Sequence, residues 1–403
     1  MSILTVDWLA REALLILQNN LVPTLLMDRE YEGSFTGTEA RGDTVRIRRR
    51  DRGNAQEFTG AISSRQLEES KVDLKLERHV DASFAITTRE LTLDLDDFSS
   101  QVLEPQVVSI AEDVDRYAAS KYKDLPSFAN VDGSNVAQAL PTTISSLAQA
   151  RKVLNNQKVP MAGRVMVHDP ELEAAFLSID SFTEADKKGD EGTALREASL
   201  GRILGLDHFM GQNVDGDTPL VAPAAADVVG VTDNNDVVGA TSVQISGLSV
   251  TTTFPLGTPI TIDHAVSDGG PKNYILAADM VTSAGGVGTA VLYDPTTNGL
   301  IRGEQLKAPT VAATTVVTIN TATAGDSYFR RGALFHPRAF AFASVPLAVP
   351  PEAEGAVISD GGLSIRVIRD YDITSKQSVI SLDVLVGAKV VQGELGAQFV
   401  TAA

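Results

Sequence analysis

The sequence contains no cysteine. Disulfides and thiolate-bound metals are therefore excluded, and folding in a reducing compartment is the expectation. It also lacks any uninterrupted apolar run of about 18 residues, so no segment reads as a transmembrane helix and no membrane partner is expected. Basic residues are in deficit: 34 Lys and Arg face 52 Asp and Glu, a formal net charge of −18. A free-standing nucleic-acid binder usually presents a basic face, which this balance argues against. Residues 4–22 are rich in Leu and Ile, but Asp7 precedes the run and Arg11-Glu12 interrupt it. A signal peptide needs a basic start and an unbroken apolar centre. An amphipathic helix is expected instead, with Trp8 and Leu15 among its packing residues.

Catalytic motifs are missing as well. No GxxxxGK[ST] loop occurs, and no dinucleotide fingerprint opens a strand–helix–strand unit. Gly285-Gly286-Val287-Gly288 reads as a turn. Gly247-Leu248-Ser249 lacks the trailing glycine of a nucleophile elbow. Asp215-Gly216-Asp217 and Asp233-Asn234-Asn235-Asp236 lack the EF-hand ligand spacing. The histidines His79, His168, His208, His264 and His336 stand singly, with no HxH or HExxH pair to nucleate a zinc site. The expectation is a protein with no catalytic residues, no cofactor and no metal.

What is present organises the chain. In residues 98–124, Leu103, Val107, Ile110, Val114, Tyr117 and Lys121 recur every three or four positions, one face of a 3.6-residue period. Pro105 fits at or near the first position of that helix, where a missing N–H costs nothing. Asp96 and Asp97 precede it as carboxylates suited to a helix start. The helix would span roughly 28–30 Å.

Before it, Val45 and Ile47 alternate with Arg46 and Arg48 as a strand. The longest alternation follows: Val72, Leu74, Leu76, Arg78, Val80, Ala82, Phe84 and Ile86 share one face. A strand of that length would reach roughly 50 Å, far beyond the usual 5–6 residues. Residues 43–87 are therefore expected to form a long two-stranded arm that lies on a neighbouring subunit. After the long helix, a second one is expected over 143–157 on Ile144, Leu147, Ala148, Ala150 and Leu154. RVMVH at 164–168 reads as a strand, and Asp169-Pro170 as an N-cap and first-position proline. Between about Val221 and Ala324 the composition shifts to Val, Thr, Ala and Gly in short alternating runs, the pattern of a small all-β domain. Mixed patterning resumes at Ala333 and closes with strands from Leu363 and Ser378.

The cluster Arg46, Arg48, Arg49, Arg50 and Arg52 is the sharpest charge feature. Three readings stand: a solvated edge kept from aggregating by charge, an intersubunit contact with Glu68, Glu69 or Asp94–Asp97 of a neighbour, or a nucleic-acid contact, for which interleaved aromatics are missing.

The order of these parts resembles the major capsid (coat) proteins of tailed bacteriophages, with their Hong Kong 97-type fold. More narrowly it is similar to the P-twenty-two-type coat proteins with an inserted β domain. The likeness is carried by GDTVRIRRR at 42–50 and ITTRELTLDLDDFSSQVLEPQVVSIAEDVD at 86–115. It continues in RVMVHDPELEAAFL at 164–177, LFHPRAFAFASVPL at 334–347, LSIRVIRDYD at 363–372 and DVLVGAKVVQGEL at 383–395. It implies an α+β fold with a spine helix, an extended β arm, axial and peripheral domains, and an inserted all-β barrel-like domain. The implied organisation is a helical N-terminal arm (1–42), an extended loop (43–87), spine helix and peripheral domain (88–124), axial domain (125–221), inserted β domain (222–326) and a return to axial and peripheral domains (327–403). It implies a homo-oligomer of pentamers and hexamers in an icosahedral shell around double-stranded DNA, in a virion assembled in the host bacterial cytoplasm. A separate scaffolding protein and a portal protein would be partners, and packaged DNA would be touched only weakly and non-specifically. Pro105 becomes a candidate hinge of the spine helix. Residues 330–403 contain no asparagine, so the lysine–asparagine cross-link of some relatives of this fold is not expected. An encapsulin-like nanocompartment shell is the alternative.

Overall fold

The computed structural model describes residues 6–31, 43–49, 71–87, 99–129, 140–183, 200–214, 220–221, 228–232, 236–237, 239–264, 271–293, 310, 315–319 and 327–402. Helix α1 (Val6–Asn20) is followed by strands β1 (Thr44–Arg48), β2 (Lys71–Lys75) and β3 (Arg78–Thr87). A π-helical turn (Ser99–Leu103) opens helix α2 (Glu104–Ser120), and a 3-10 turn (Lys121–Asp124) closes it. Next come β4 (Phe128–Ala129), α3 (Ile144–Asn156), β5 (Val165–His168), α4 (Pro170–Leu177), β6 (Arg202–Ile203), β7 (Leu206–Met210) and β8 (Leu220–Val221). Short strands follow: β9 (Val228–Thr232), β10 (Ser242–Ser246), β11 (Thr253–Phe254), β12 (Pro259–Asp263), β13 (Pro271–Ile275), β14 (Met280–Val281), β15 (Gly288–Val291) and β16 (Val316–Ile319). The last strands are β17 (Ser327–Phe335), β18 (Phe340–Val345), β19 (Glu354–Asp360), β20 (Leu363–Asp372), β21 (Gln377–Val390) and β22 (Gly396–Ala402). The chain divides into two compact units. One comprises Met1–Leu21, Met27–Tyr117 and Phe340–Gln392; the other comprises Val22–Leu26, Ala118–Ala339 and Gly393–Ala403.

In the first unit, β21 is the axis of a five-stranded antiparallel sheet that also holds β18, β20, β19 and β3. β3 pairs with β21 over its whole length, from Thr87 opposite Gln377 to Arg78 opposite Val386. The single strand expected over 72–86 is therefore two strands. Residues 71–75 pair with β1, and only after the break at 76–77 does the chain join the larger sheet. The alternation keeps its phase through that break because both segments bury even-numbered side chains, among them Val72, Leu74, Val80 and Ile86, with Arg78 the exposed exception. The change of hydrogen-bonding partner leaves no trace in the pattern. The arm reading changes with it: residues 78–87 belong to the body sheet, and the β1–β2 pair is rooted on the same body. Ile47 and Leu74 are buried in a cluster with Ala341, Ala343 and Val391. Gly387 on β21 permits that seat, since a Cβ there would lie 2.3 Å from the Lys75 carbonyl oxygen.

Helix α1 packs on β19 and β20. It buries Val6, Leu9, Ala10, Ala13, Leu14 and Leu17. Trp8 and Leu15, expected inside, are 43% and 54% exposed. The helix is apolar around much of its circumference, so periodicity could not choose the face. The Leu and Ala file lets the helix sit close to the sheet, which a tryptophan would prevent.

In the second unit, β4, β22, β17, β5, β7 and β6 lie side by side, with β8 added against β17. Leu147, Leu154, Met166, Leu172, Phe176, Phe182, Leu206, Leu334 and Phe399 form its core. Each such burial contributes roughly 1.5–3 kcal/mol relative to exposure. On α3, Leu147, Ala150 and Leu154 face inward, whereas Ile144 and Ala148, expected with them, are exposed. The Asp169 carboxylate accepts from the Leu172 amide at 2.8 Å with Pro170 opening α4, the expected cap. Leu204 (φ 49°) and Gly205 (φ 79°) form the two-residue turn between β6 and β7, where both positions need positive φ.

Residues between β8 and β17 build their own six-stranded antiparallel sheet, in the order β13-β12-β16-β9-β10-β15, plus the pair β11–β14. The sheet curls: beyond β13, the Ala277 amide donates to the Val291 carbonyl on β15 at 2.8 Å, bringing the outer strands together. Val243, Ile245, Phe254, Ile260, Ile262, Tyr274, Met280, Val317 and Ile319 fill the interior. The segment leaves and returns side by side, because Val221 sits opposite Ser327 and Leu220 opposite Tyr328.

Candidate assembly surfaces

On α2, Leu103, Val107, Ile110 and Val114 are buried, at 0 to 1% exposure, while Tyr117 is half-buried. The three- and four-residue spacing puts them on one face, as the sequence pattern requires. Pro105 occupies the second helical position and is exposed. The helix directly follows the π turn Ser99–Leu103, so the ring sits where the helical bonding changes from the wider to the α spacing. Two polar contacts tie α2 to the sheet of its own unit. The Arg78 guanidinium grips Asp113 in a two-point fork, Nε to Oδ2 at 2.9 Å and Nη2 to Oδ1 at 2.7 Å. That hydrogen-bonded carboxylate raises the Arg78 pKa further. The Tyr117 hydroxyl accepts from the Ala388 amide at 3.3 Å. Arg78 is the residue that interrupts an otherwise apolar file, and the fork is the reason it is there.

Across β3, β21 and β20 runs a second polar group. Asp383, almost fully buried, receives Arg366 Nε on Oδ1 at 2.9 Å, and Arg366 Nη2 on Oδ2. His79 Nε2 lies 3.0 Å from the same Oδ2. Arg366 also donates to the Ala348 carbonyl at 2.6 Å, and the Asp383 partner raises its pKa further. None of these contacts was legible in the sequence, since adjacent-strand register alone brings positions 79, 366 and 383 together.

Of the arginine cluster, Arg46 and Arg48 point outward from β1, opposite to buried Ile47. Arg46 stands 3.6 Å from Asp73, directly across the β1–β2 pair, with both side chains more than half exposed. One arginine thus has an acidic neighbour within its own arm. Arg50, Arg52, Glu68, Glu69 and Asp94–Asp97 lie outside the described residues, as do Asp215–Asp217 and Asp233–Asn235.

In the second unit, parallel pairing of β5 with β7 joins two of the singly spaced histidines: His208 lies opposite Met166, and its ring is 5.9 Å from that of His168. Phe176 stands edge-on to both. Burial pushes the His168 imidazole down to about 4. Beside it, burial raises the Asp169 carboxyl, opposed by its cap bond and by Arg331 at 3.0 Å. Among the described residues no three His, Asp or Glu side chains converge as a metal site would require, and no helix is long and apolar enough to cross a membrane.

No family model and no curated protein sequence matches this chain. Solved structures do. A structure titled "Mycobacterium phage Che8" aligns over 94% of this chain and 90% of its own, with 16% identity and a TM-score of 0.49. "Capsid of Ralstonia phage GP4" aligns over 90% of this chain and 84% of its own, with 11% identity and a TM-score of 0.46. The acidic stable capsid structure of Helicobacter pylori bacteriophage KHP30 aligns over 91% and 86%, with 10% identity and a TM-score of 0.41.

Proposed function

We propose that this chain is the major capsid protein of a tailed bacteriophage, a structural subunit that assembles into an icosahedral shell around double-stranded DNA. The observation that carries the reading is the composition of the β21 sheet. Strand β3, which precedes the long helix, pairs along ten residues with a strand nearly 300 positions later in the chain, and α2 is strapped to that sheet by Arg78 and Tyr117. A spine helix and returning C-terminal strands in one unit is the arrangement that the sequence resemblance implies for the peripheral domain; β3 joins them, although the resemblance counted residues 78–87 in the extended loop. The curled β sheet between β8 and β17 corresponds to the inserted domain of the same resemblance.

In this reading the work of the molecule is a repeated contact rather than a reaction. Arg46 and Arg48, with the arginines that follow them, reach acidic groups of a neighbouring copy. Pro105 marks where the spine helix bends between pentamer and hexamer settings. Assembly runs with a separate scaffolding protein and a portal protein in the bacterial cytoplasm. The net charge of −18 keeps the shell from gripping DNA. Electron microscopy of the purified protein tests the assignment. Shells or capsomer-sized rings are expected, and a monodisperse monomer under every assembly condition would sink it. Arg48→Glu is expected to weaken assembly, as is high salt; indifference to both removes the arm contact while leaving the shell.

A further inference from the structure

β5 and β7 pair in parallel, with Met166 opposite His208 and His168 opposite Met210. Residues directly opposite, and residues two apart on one strand, share a face of the sheet. Met166, His168, His208 and Met210 therefore form a two-by-two block. It lies on the face that meets Phe176, to which both imidazoles are edge-on. Val165, Val167, Asp207 and Phe209 take the other face. Buried parallel strands are ordinarily filled by Val, Ile and Leu. Here a chain with six methionines and five histidines sets two of each in one block.

Neither ring nitrogen of the buried His168 makes a hydrogen bond of ordinary geometry, and the backbone of Asp169 offsets that burial only in part. A buried polar group in that condition calls for a partner. The carboxylate next in sequence is committed elsewhere: Asp169 accepts from the Leu172 amide and pairs with Arg331, which also meets Glu171. On the other flank, β17 sets Leu334 opposite Met166 and Gly332 opposite His168, so it offers no polar side chain there. The His168 and His208 ring centres are 5.9 Å apart. With a metal–nitrogen bond of about 2 Å and the ring centre about 1 Å beyond the nitrogen, two imidazoles on one ion have centres at most about 6 Å apart.

We infer that Met166, His168, His208 and Met210 bind one copper(I) ion between β5 and β7. The donors select the ion. Thioether sulfur is soft and suits copper(I), whereas zinc takes thiolate, imidazole or carboxylate, and magnesium and calcium take oxygen. The set is thus distinct from the clusters of His, Asp and Glu that are absent among the described residues. Four neutral donors bring no charge to offset a dication, and an uncompensated buried charge is costly. A monovalent ion keeps that cost lowest, and no thiol in the chain competes for it. β6 pairs with β7 only at Leu206 and Asp207, and His208 and Met210 beyond it are half-buried. That edge is the side from which an ion would reach the block. The inference concerns the second unit alone and does not depend on shell formation.

The test is anaerobic titration of the full-length protein with copper(I) at pH 7, in competition with the chromophoric chelator bicinchoninate. The wild-type chain is expected to withdraw one equivalent. Met210→Leu keeps the size of the side chain and is expected to weaken binding at least about tenfold, as is His168→Leu. Met161→Leu, at a 69% exposed methionine in the loop before β5, should leave binding unchanged. X-ray absorption of the loaded protein should show nitrogen and sulfur around the copper. Copper(I) should also raise the thermal midpoint of the wild type but not of Met210→Leu. Equal retention of copper by all three variants would mean an adventitious ion only and overturn the proposal. Failure of the wild-type chain to hold copper(I), or equally tight retention of zinc, would overturn it as well. If His168→Leu does not fold, Met210→Leu decides alone, because that side chain is half-buried.

Discussion

In the sheet of β3 and β18–β21, a buried carboxylate holds an arginine and a histidine from the two neighbouring strands. In the sheet of β9, β10, β12, β13, β15 and β16, the interior is Val, Ile, Phe, Tyr and Met, and long stretches of its sequence have no charge at all. Both faces exclude water, but different things fix them. Hydrophobic packing is tolerant of exchange among side chains of similar size, whereas a buried ion pair is satisfied in only one register. The ladder of β21 with β3 joins segments far apart in sequence, where a two-residue slip would keep the apolar face inward and be cheap by packing alone. Asp383 with Arg366 and His79 makes that slip costly. The inserted sheet pairs segments closer together in sequence, with β9 and β16 the most distant of its partners.

The comparison can be broken at its strongest point first. Phe254→Ala in the inserted sheet is expected to cost about 3–5 kcal/mol, by cavity formation alone, with no partner substitution that restores it. Asp383→Ala leaves the partly buried Arg366 without its carboxylate and is expected to cost up to about 3 kcal/mol in urea unfolding. Asp383→Leu combined with Arg366→Met is expected to recover most of that loss. If the single variant costs no more than the double, the pair is not what holds the strand.

A second effect belongs to the buried histidine of the other sheet. The folded chain holds His168 at about 4 against an ordinary value of 6.5. The neutral ring is the one that fits, so the associated stability is fully present above pH 6.5. It declines as pH falls below 6.5 and levels out below about 4, because the unfolded chain takes up the proton first. The loss amounts to roughly 3 kcal/mol. Urea midpoints measured from pH 7 to pH 4 check it: His168→Leu should flatten the profile, and an unaltered slope in that variant would assign the acid sensitivity elsewhere.

The smallest effect is expected at the spine helix. Arg78→Ala removes a fork that is half exposed, so solvent screening limits the loss to about 1 kcal/mol. It should shrink further in high salt. A change in amide exchange confined to α2, with global stability nearly constant, would show that the fork positions the helix rather than holding the unit together.

Much of the fold was legible because its signals are local. The buried file of α2 and the Asp169-Pro170 start of α4 each depend on residues within one or two turns of one another. Misreadings arose where a local pattern fits two outcomes. Residues 72–86 keep one alternation, interrupted only by Arg78, although the ladder partner changes at 76–77. Helix α1 offers apolar residues on several faces, and Trp8 and Leu15 went to the outside. The candidate surfaces were less legible still. Arg78 stood out as a charge in an apolar file, but nothing near it in sequence announced Asp113, and His168 and His208 are neighbours only through a parallel strand pair.

The sequence by itself determined the kinds of elements, their order and the chemistry left out of them, because periodicity, capping and composition act over a few residues. Tertiary structure alone decided which strands share a sheet, which face of α1 is covered and which carboxylate each arginine meets. Those choices depend on hydrogen-bond registers between segments as distant as β3 and β21, and the energy of a register is a property of the pair, which neither segment carries alone.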